Sequence, residues 1–406
     1  MARITFGIDH FLQTKQDKSK RWGLVTNDAV FTRDFIPVRQ ALLENGFQLV
    51  RLFSPEHGLQ VVGADGALMA HQTDALTGLP VFSLYGDNLC PPAEVLQDLD
   101  GILFDLPDVG VRFYTYIWTL SYVMEACHAA RVPLIVLDRP NPLSGNLALA
   151  EGPMLDETQA ASFIGRWGIP IRHSLSVGEL ALFWQKERFD EGLDLTVYQV
   201  QNWKREQFFP DLGLPFVPSS PAISSIETLL TYPALCFLEG LNVSEGRGTA
   251  FPFRICGAPW MDGFTLAKAF NDSGLEGVKA RPFSFIPGEG LYKNQSCQGI
   301  MLHVLDAATF RPVYVGLYLV GLLKKLYSAQ LEWANYPTHV NKTGARHFDL
   351  LTGTPRVREA LEADVDQFFG QIGDLTGVGD WRERIEEVLL YPLAAAFPVW
   401  NPPSLR

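Results

Sequence analysis

At 406 residues the chain exceeds the usual size of a single core, so two domains, or one domain with a large second lobe, are expected. Its 47% hydrophobic and 19% charged residues, with 27 Phe and 9 Trp, exclude a disordered or fibrous protein and leave only short loops and the C-terminal PPSLR tail for disorder. A net charge of −12 excludes a general binder of nucleic acid or anionic membrane, which needs a basic stripe to exchange for counterions.

The N-terminal MARITFGIDHFLQ has no long apolar core and no small-residue cleavage site, so no signal peptide is expected. Cys90, Cys127, Cys236, Cys256 and Cys297 are scattered and form no CxxC pair, which fits reduced thiols and a cytoplasmic setting. Four strand-like runs then stop abruptly in charged or polar residues: Trp22–Asn27, Phe47–Gly58, Gly101–Tyr116 and Val132–Gly145. RDFIPVRQALLENG reads as a helix closed by Gly46, and YIWTLSYVMEACHAARV as a second, opened by Asp108 or Gly110 where exposed amides would attract an anion. This alternation predicts a doubly wound, mostly parallel α/β sheet.

After Gly152 the texture changes. SVGELALFWQKER reads as a helix in which Ser176 and Glu179 are spaced as a capping box. Residues 215–260 are rich in Pro, Gly and Ser around the helical SSIETLLTYPALCFLEG. Strand-like ARPFSFIP and CQGIMLHVLD follow, then the helices PVYVGLYLVGLLKKLY, VREALEADVDQFFGQI and WRERIEEVLLY, an α+β lobe. The apolar run Val313–Leu323 is shorter than the roughly 20 residues of a membrane span and reads as a buried or amphipathic helix. The expected division is an α/β domain over 1–155, or extending to about 260, and a C-terminal domain over 260–406 that closes a cleft.

In parallel α/β sheets ligands bind outside the carboxyl ends of the strands, so Glu56, His57, Asp105, Asp108, Arg112, Asp138 and Arg139 are expected to converge there. GxGxxG is missing after the first strand and GxxxxGK[ST] is missing altogether, which disfavours a nucleotide cofactor. The eight His form no HExxH and no Cys/His cluster, so no metal is expected, and no GxSxG elbow supports a serine hydrolase. Carboxylate chemistry remains. Glu56, on a loop between Pro55 and His57, is placed to be partly desolvated and to keep a proton near neutral pH, as a general acid must. Asp105, Asp108 and Glu245 are candidates for the second carboxyl group that glycosidic bond cleavage commonly uses. Each has a plain structural alternative, a helix cap or an ion pair with Arg112, Arg139 or Arg247. Phe113, Tyr114, Tyr116, Trp118, Phe253 and Trp260 accompany these charges, as sugar-stacking faces or as core.

Several motifs run in order along most of the chain: SPEHG (Ser54–Gly58), TGLPVFSLYG (Thr77–Gly86), FDLPDVGVRFYTYIWTL (Phe104–Leu120), VLDRPNPLSG (Val136–Gly145), EGP (Glu151–Pro153), GELA (Gly178–Ala181), EGLNVSEGRGTAFPF (Glu239–Phe253) and GAPW (Gly257–Trp260). As a set they resemble the exo-β-N-acetylmuramidase family, the NamZ-like glycoside hydrolases long known as a domain of unknown function. The resemblance implies a Rossmann-like N-terminal domain, a smaller C-terminal domain and an active site in the cleft between them. It implies release of terminal N-acetylmuramic acid from the non-reducing end of peptidoglycan fragments, with the glutamate of PEHG, here Glu56, as leading catalytic candidate. Asp108 and Glu245 are then its partner candidates, and His57, Asp105, Arg112, Tyr114, Tyr116, Asp138, Arg139, Asn242, Arg247 and Trp260 the substrate-binding set. An arginine among Arg112, Arg139 and Arg247 would grip the lactyl carboxylate, and the sugar's own 2-acetamido group is an alternative to a second protein carboxylate. The chain departs from the family pattern at Ala222, where Asn is usual, at Ser174, where RHG is common, and in LQVVGADGALMAHQ. A small saccharide or muropeptide is the expected partner, no cofactor is expected, and a homodimer is allowed. A non-catalytic muropeptide-binding protein and a Rossmann-type oxidoreductase are the other readings.

Overall fold

The computed structural model describes residues 3–68, 72–189 and 192–393; the PPSLR tail lies outside them. The first part runs α1 (Gly7–Gln13), β1 (Arg21–Val25), α2 (Val38–Glu44), β2 (Gln48–Ser54), β3 (Gln72–Thr73), β4 (Pro80–Ser83), β5 (Gly101–Phe104), α3 (Tyr116–Ala130), β6 (Leu134–Leu137), α4 (Val177–Arg188) and β7 (Leu195–Tyr198). Its strands form one sheet in the order β3-β4-β2-β1-β5-β6-β7. All neighbours are parallel except β3, antiparallel at the edge beside β4. The central strands WGLV and GILF are buried on both faces, which is why they read as unbroken apolar runs rather than as an alternation. The chain leaves β1 toward β2 and β4 and then crosses back to β5, so the ends of β1 and β5 are the point where strand order reverses.

The second part runs α5 (Ile226–Leu235), β8 (Ile255–Ala258), α6 (Gly263–Asp272), β9 (Val278–Phe285), β10 (Cys297–Val304), α7 (Pro312–Leu326), α8 (His347–Thr352), α9 (Arg356–Ala363), α10 (Val365–Leu375) and α11 (Trp381–Ile385). Its three strands form an antiparallel sheet, β8-β10-β9, covered by α6. Helix α7 is buried from Pro312 to Leu323 and packs between α5 and α10. Gly316 permits this: a Cβ there would stand 2.4 Å from the Ala234 carbonyl oxygen of α5. Among the described residues no helix is long and apolar enough to cross a membrane. One apolar cluster extends from β5 and α3 to α7 and α10, so the two parts share a core.

Two expected elements are corrected. The helix after β5 opens at Thr115, not at Asp108 or Gly110. Asp108 spends its Oδ2 on the Gly110 amide at 2.9 Å, and Gly110 takes φ 82°, so these residues make a turn instead of a helical first turn. VREALEADVDQFFGQI is two helices rather than one, because Asp364 is extended, ends α9 and accepts the Asp366 and Gln367 amides as the cap of α10. The Ser176 to Glu179 capping box is present as read from the sequence. Glu179 additionally pairs with the buried Arg205 and accepts the Leu390 amide at 2.8 Å.

Candidate active site

Strand β2 ends at Ser54 and the chain turns through Pro55, Glu56, His57 and Gly58. His57 and Gly58 both take left-handed backbone, φ 68° and 74°. A non-glycine residue held there costs free energy that its surroundings must offset. The His57 ring contributes by donating from Nδ1 to the Gly63 carbonyl at 2.8 Å, tying the turn to the following loop. Its Nε2 then points to Asp65, 3.7 Å away.

The turn places Glu56 at a cavity, only 7% exposed. Its Oε1 accepts the Gly66 amide at 2.8 Å and its Oε2 accepts the Thr115 hydroxyl at 2.7 Å. Thr115 stands at the N-terminus of α3, so the β2 and β5 connections meet on this one carboxyl group. Burial raises the Glu56 pKa, with Asp65 adding to the rise; His57, Thr115 and Gly66 oppose it without cancelling it. Tyr85, just beyond β4, interacts with Glu56 on one side and with Thr338 of the second part on the other. Burial drives its phenol well up, so it stays a neutral donor.

The cavity measures about 80 Å³ and is walled by Tyr85, Phe113, Tyr114, Phe163, Tyr232, Phe253 and Tyr336. It shares Asp65, Ala222, Glu239, Arg247 and Tyr336 with a wider neighbour of about 560 Å³. Arg247 dominates the shared wall. Its Nη1 donates to Glu239 at 2.6 Å and to Glu245 at 2.8 Å, its Nη2 donates to Asp65, and it lies over the Phe253 ring at 4.6 Å. Burial works to raise the Glu239 carboxyl, but Arg247 and His347 outweigh it and hold the group at about 2. Burial raises Glu245, against the pull of Arg247.

The expected convergence of strand-end residues is therefore partial. Glu56, His57, Tyr114 and Arg247 line the inner cavity, and Glu245 lines only the wider one. Tyr116 stands behind the turn, its hydroxyl 2.6 Å from the Ser219 carbonyl and 3.3 Å from that of Glu56. Asp108 bonds to His173 at 3.0 Å and borders a separate cavity of about 60 Å³ together with Arg139. Asp105 is fully buried and takes both Arg139 bonds, at 2.5 and 3.0 Å. Asp138 accepts the Ser176 hydroxyl at 2.8 Å, the Gly178 amide at 2.7 Å and the Tyr391 hydroxyl at 2.5 Å, and burial pushes it up to about 6. Arg112, fully buried, donates to the carbonyls of Pro153, Ile169 and Leu351 at 2.7 to 3.0 Å, and burial lowers it to about 9. Asn242 pins residues 330 and 332, and Trp260 donates to Tyr292 at 3.0 Å; neither borders these cavities.

Sequence reasoning missed Tyr85, Thr115, Asp65, Glu239, Tyr336 and His347, all of which line the inner cavity. Tyr85, Thr115 and Glu239 lie inside motifs quoted above, so their motifs carried the signal while their side-chain direction did not. Of the departures from the family pattern, Ala222 borders both cavities, and Ser174 keeps φ 59°, a backbone that glycine takes freely. Among the described residues no group of three or more His, Cys, Asp or Glu is placed to hold a metal ion.

The chain is similar to known proteins over most of its length. Residues 22–227 match the family model described as exo-beta-N-acetylmuramidase NamZ, N-terminal, and residues 230–391 match its C-terminal counterpart. The chain is 40% identical over 363 residues to the peptidoglycan beta-N-acetylmuramidase NamZ of Bacillus subtilis (strain 168), covering 89% of this chain and 84% of that one. It is similar to the crystal structures of two DUF1343 family proteins from Bacteroides fragilis NCTC 9343. One has a TM-score of 0.81 at 30% identity and the other 0.74 at 26%, each alignment covering 97% of this chain and 100% of the other.

Proposed function

We infer the reaction from the family: the chain belongs to the exo-β-N-acetylmuramidase NamZ family, whose N- and C-terminal models together span most of it. It is a glycosidase that releases terminal N-acetylmuramic acid from the non-reducing end of peptidoglycan fragments, a step of cell-wall turnover.

Glu56 is the general acid of this reading. What supports it is one observation: a carboxyl group at a cavity wall, held by neutral donors, whose pKa burial raises. The inner cavity is too small for a whole sugar, so the fragment lies in the wider one, with the reacting end of its terminal sugar turned toward Glu56 and the aromatic walls. As the bond from C1 to the bridging oxygen breaks, its electron pair passes to that oxygen, which takes the Glu56 proton. Water then adds to C1 and returns a proton to Glu56. Of the three arginines weighed for the lactyl carboxylate, Arg247 alone borders the cleft, and its three carboxylate partners mean that a fourth must share it. The five cysteines are all unpaired, which supports a cytoplasmic site of action.

The test is release of N-acetylmuramic acid from its disaccharide with N-acetylglucosamine, beside 4-nitrophenyl β-N-acetylmuramide and the matching glucosaminide, with wild type and Glu56→Gln. Wild type turns over the muramyl substrates and not the glucosaminide. Glu56→Gln loses about 10²- to 10⁴-fold on the disaccharide. Equal turnover of the glucosaminide, or a Glu56→Gln enzyme as active as wild type on the disaccharide, would overturn this account.

A further inference from the structure

On that reading the scissile bond lies where the two cavities meet, since Glu56 lines the inner one and only the wider one has room for the sugars. Asp65, Glu239, Arg247, Tyr336 and Ala222 border both. Only Asp65 and Glu239 among them are carboxylates. Asp65 belongs to the Glu56 side: it stands 3.7 Å from His57, and its charge adds to the rise of the Glu56 pKa. Glu239 comes from the other part of the molecule, on the short 3-10 turn Cys236–Gly240 that follows α5.

Resting on the glycosidase reading above, we propose that Glu239 is the second carboxylate of the reaction, a fixed negative charge that balances the cation developing on the terminal sugar.

Its two oxygens are gripped from opposite sides, one by Arg247 at 2.6 Å and the other by His347 at 3.0 Å. His347 is in turn stacked on Tyr336, with ring centroids 4.7 Å apart and planes 20° from parallel. A charge fixed in this way needs no reorganisation as the bond breaks, which is the condition under which electrostatic stabilisation is large. The two carboxyl groups are also pushed apart in acidity, Glu56 upward by burial and Glu239 down to about 2 by Arg247 and His347. Such a split separates an acid from an anion at one pH. In the step itself, the C1 to oxygen bond breaks with its electron pair going to the leaving oxygen, which takes the Glu56 proton. The positive charge left on C1 and the ring oxygen faces the Glu239 carboxylate until water adds to C1 and gives its proton to Glu56. Glu239 forms no bond and carries no proton in this cycle.

An acid and a charge partner respond differently to the leaving group, and this separates them. Glu56→Gln and Glu239→Gln are compared on the disaccharide, whose leaving oxygen needs a proton, and on 4-nitrophenyl β-N-acetylmuramide, whose leaving oxygen does not. On the disaccharide Glu56→Gln loses about 10²- to 10⁴-fold and Glu239→Gln about 10²- to 10³-fold in kcat. On the nitrophenyl muramide Glu56→Gln recovers to within about tenfold of wild type, whereas Glu239→Gln keeps its full deficit with KM little changed. A Glu239→Gln enzyme with wild-type kcat on both substrates, beside an impaired Glu56→Gln, overturns the proposal and leaves the glycosidase reading standing. A wild type inactive on both overturns that reading instead. Should Glu239→Gln not fold, Glu239→Asp keeps the charge and withdraws it from the sugar, so it must show the same loss on both substrates; wild-type turnover by it defeats the proposal.

Discussion

Two groups of charged residues stand at the carboxyl ends of the same sheet, and the protein uses them in opposite ways. Beyond β5 and β6, Asp105 and Asp138 are sealed from solvent and every oxygen is engaged, by Arg139 in one case and by Ser176, Gly178, Tyr391 and the Arg139 amide in the other. Beyond β2, Glu56 has only neutral hydrogen-bond donors behind it, the Gly66 amide and the Thr115 hydroxyl among them, and a cavity in front. Acidity alone does not tell the two apart, because burial pushes Asp138 up to about 6 as well. What differs is access. Asp138 joins the start of α4 and Tyr391 near the chain's end to the sheet, while Glu56 faces a cavity that adjoins a wider one. The same sequence grammar, an apolar strand stopped by an acid, thus builds a knot on one side of the strand-order reversal and a working face on the other.

The hardest blow to that contrast would come from Arg139→Ala. It leaves Asp105 buried with no cation, and removing one member of a buried pair costs about 3–5 kcal/mol. Urea unfolding should show that loss, while kcat per folded molecule on the nitrophenyl muramide stays near wild type. A stable but inactive Arg139→Ala would mean that the β5 and β6 side takes part in the chemistry.

A finer test falls on the other side. Thr115→Val removes the hydroxyl that donates to Glu56 Oε2, a bond that favours the ionised form and so opposes the rise of the Glu56 pKa. The acid works protonated, so activity falls as pH climbs through its pKa. Losing the Thr115 donor raises that pKa further and moves the alkaline limb of kcat/KM to higher pH. A hydrogen bond to a charged group contributes about 1.5–3 kcal/mol, which sets a shift of about one to two pH units as the upper range. A limb that stays put or moves down would show that Thr115 does not govern the acid.

The contrast also shows why the sequence was legible in some places and not in others. The alternation of buried strands and helices from Trp22 to Gly145 is a local pattern, so the sheet could be read from it, and SPEHG pointed to Glu56 because Pro, His and Gly mark a turn at a strand end. Asp105, Asp138 and Arg112 carried the same local signature. Their fate was decided by partners 34 to 253 residues away, such as Arg139 for Asp105, Tyr391 for Asp138 and Leu351 for Arg112, and no local pattern reports those. Glu239 was missed for the converse reason. It sits in an apolar helical stretch, where it reads as the end of a helix, and only His347, 108 residues on, and the fold of the SEGRGT loop turn it into the cleft.

The smallest expected effect comes from Ser176→Ala, and it bears on how far the knot is a single unit. Ser176 Oγ accepts the Glu179 amide at 3.2 Å as the cap of α4 and donates to Asp138 Oδ2 at 2.8 Å. Loss of a serine cap costs about 0.5–2 kcal/mol, typically about 1. If the cap and the Asp138 bond act separately, the cost should reach the upper end of that range, because a buried carboxylate oxygen loses a donor at the same time. Asp138 nevertheless keeps the Gly178 amide and the Tyr391 hydroxyl, so the loss should stay well below that of Arg139→Ala. A double-mutant cycle of Ser176→Ala with Tyr391→Phe measures the coupling directly: the two share one oxygen of Asp138, and an interaction energy outside about 0.5 kcal/mol is expected. Additive losses would mean that the strand-end acid is merely surrounded by these groups, and the description of that side as one joined element would have to be given up.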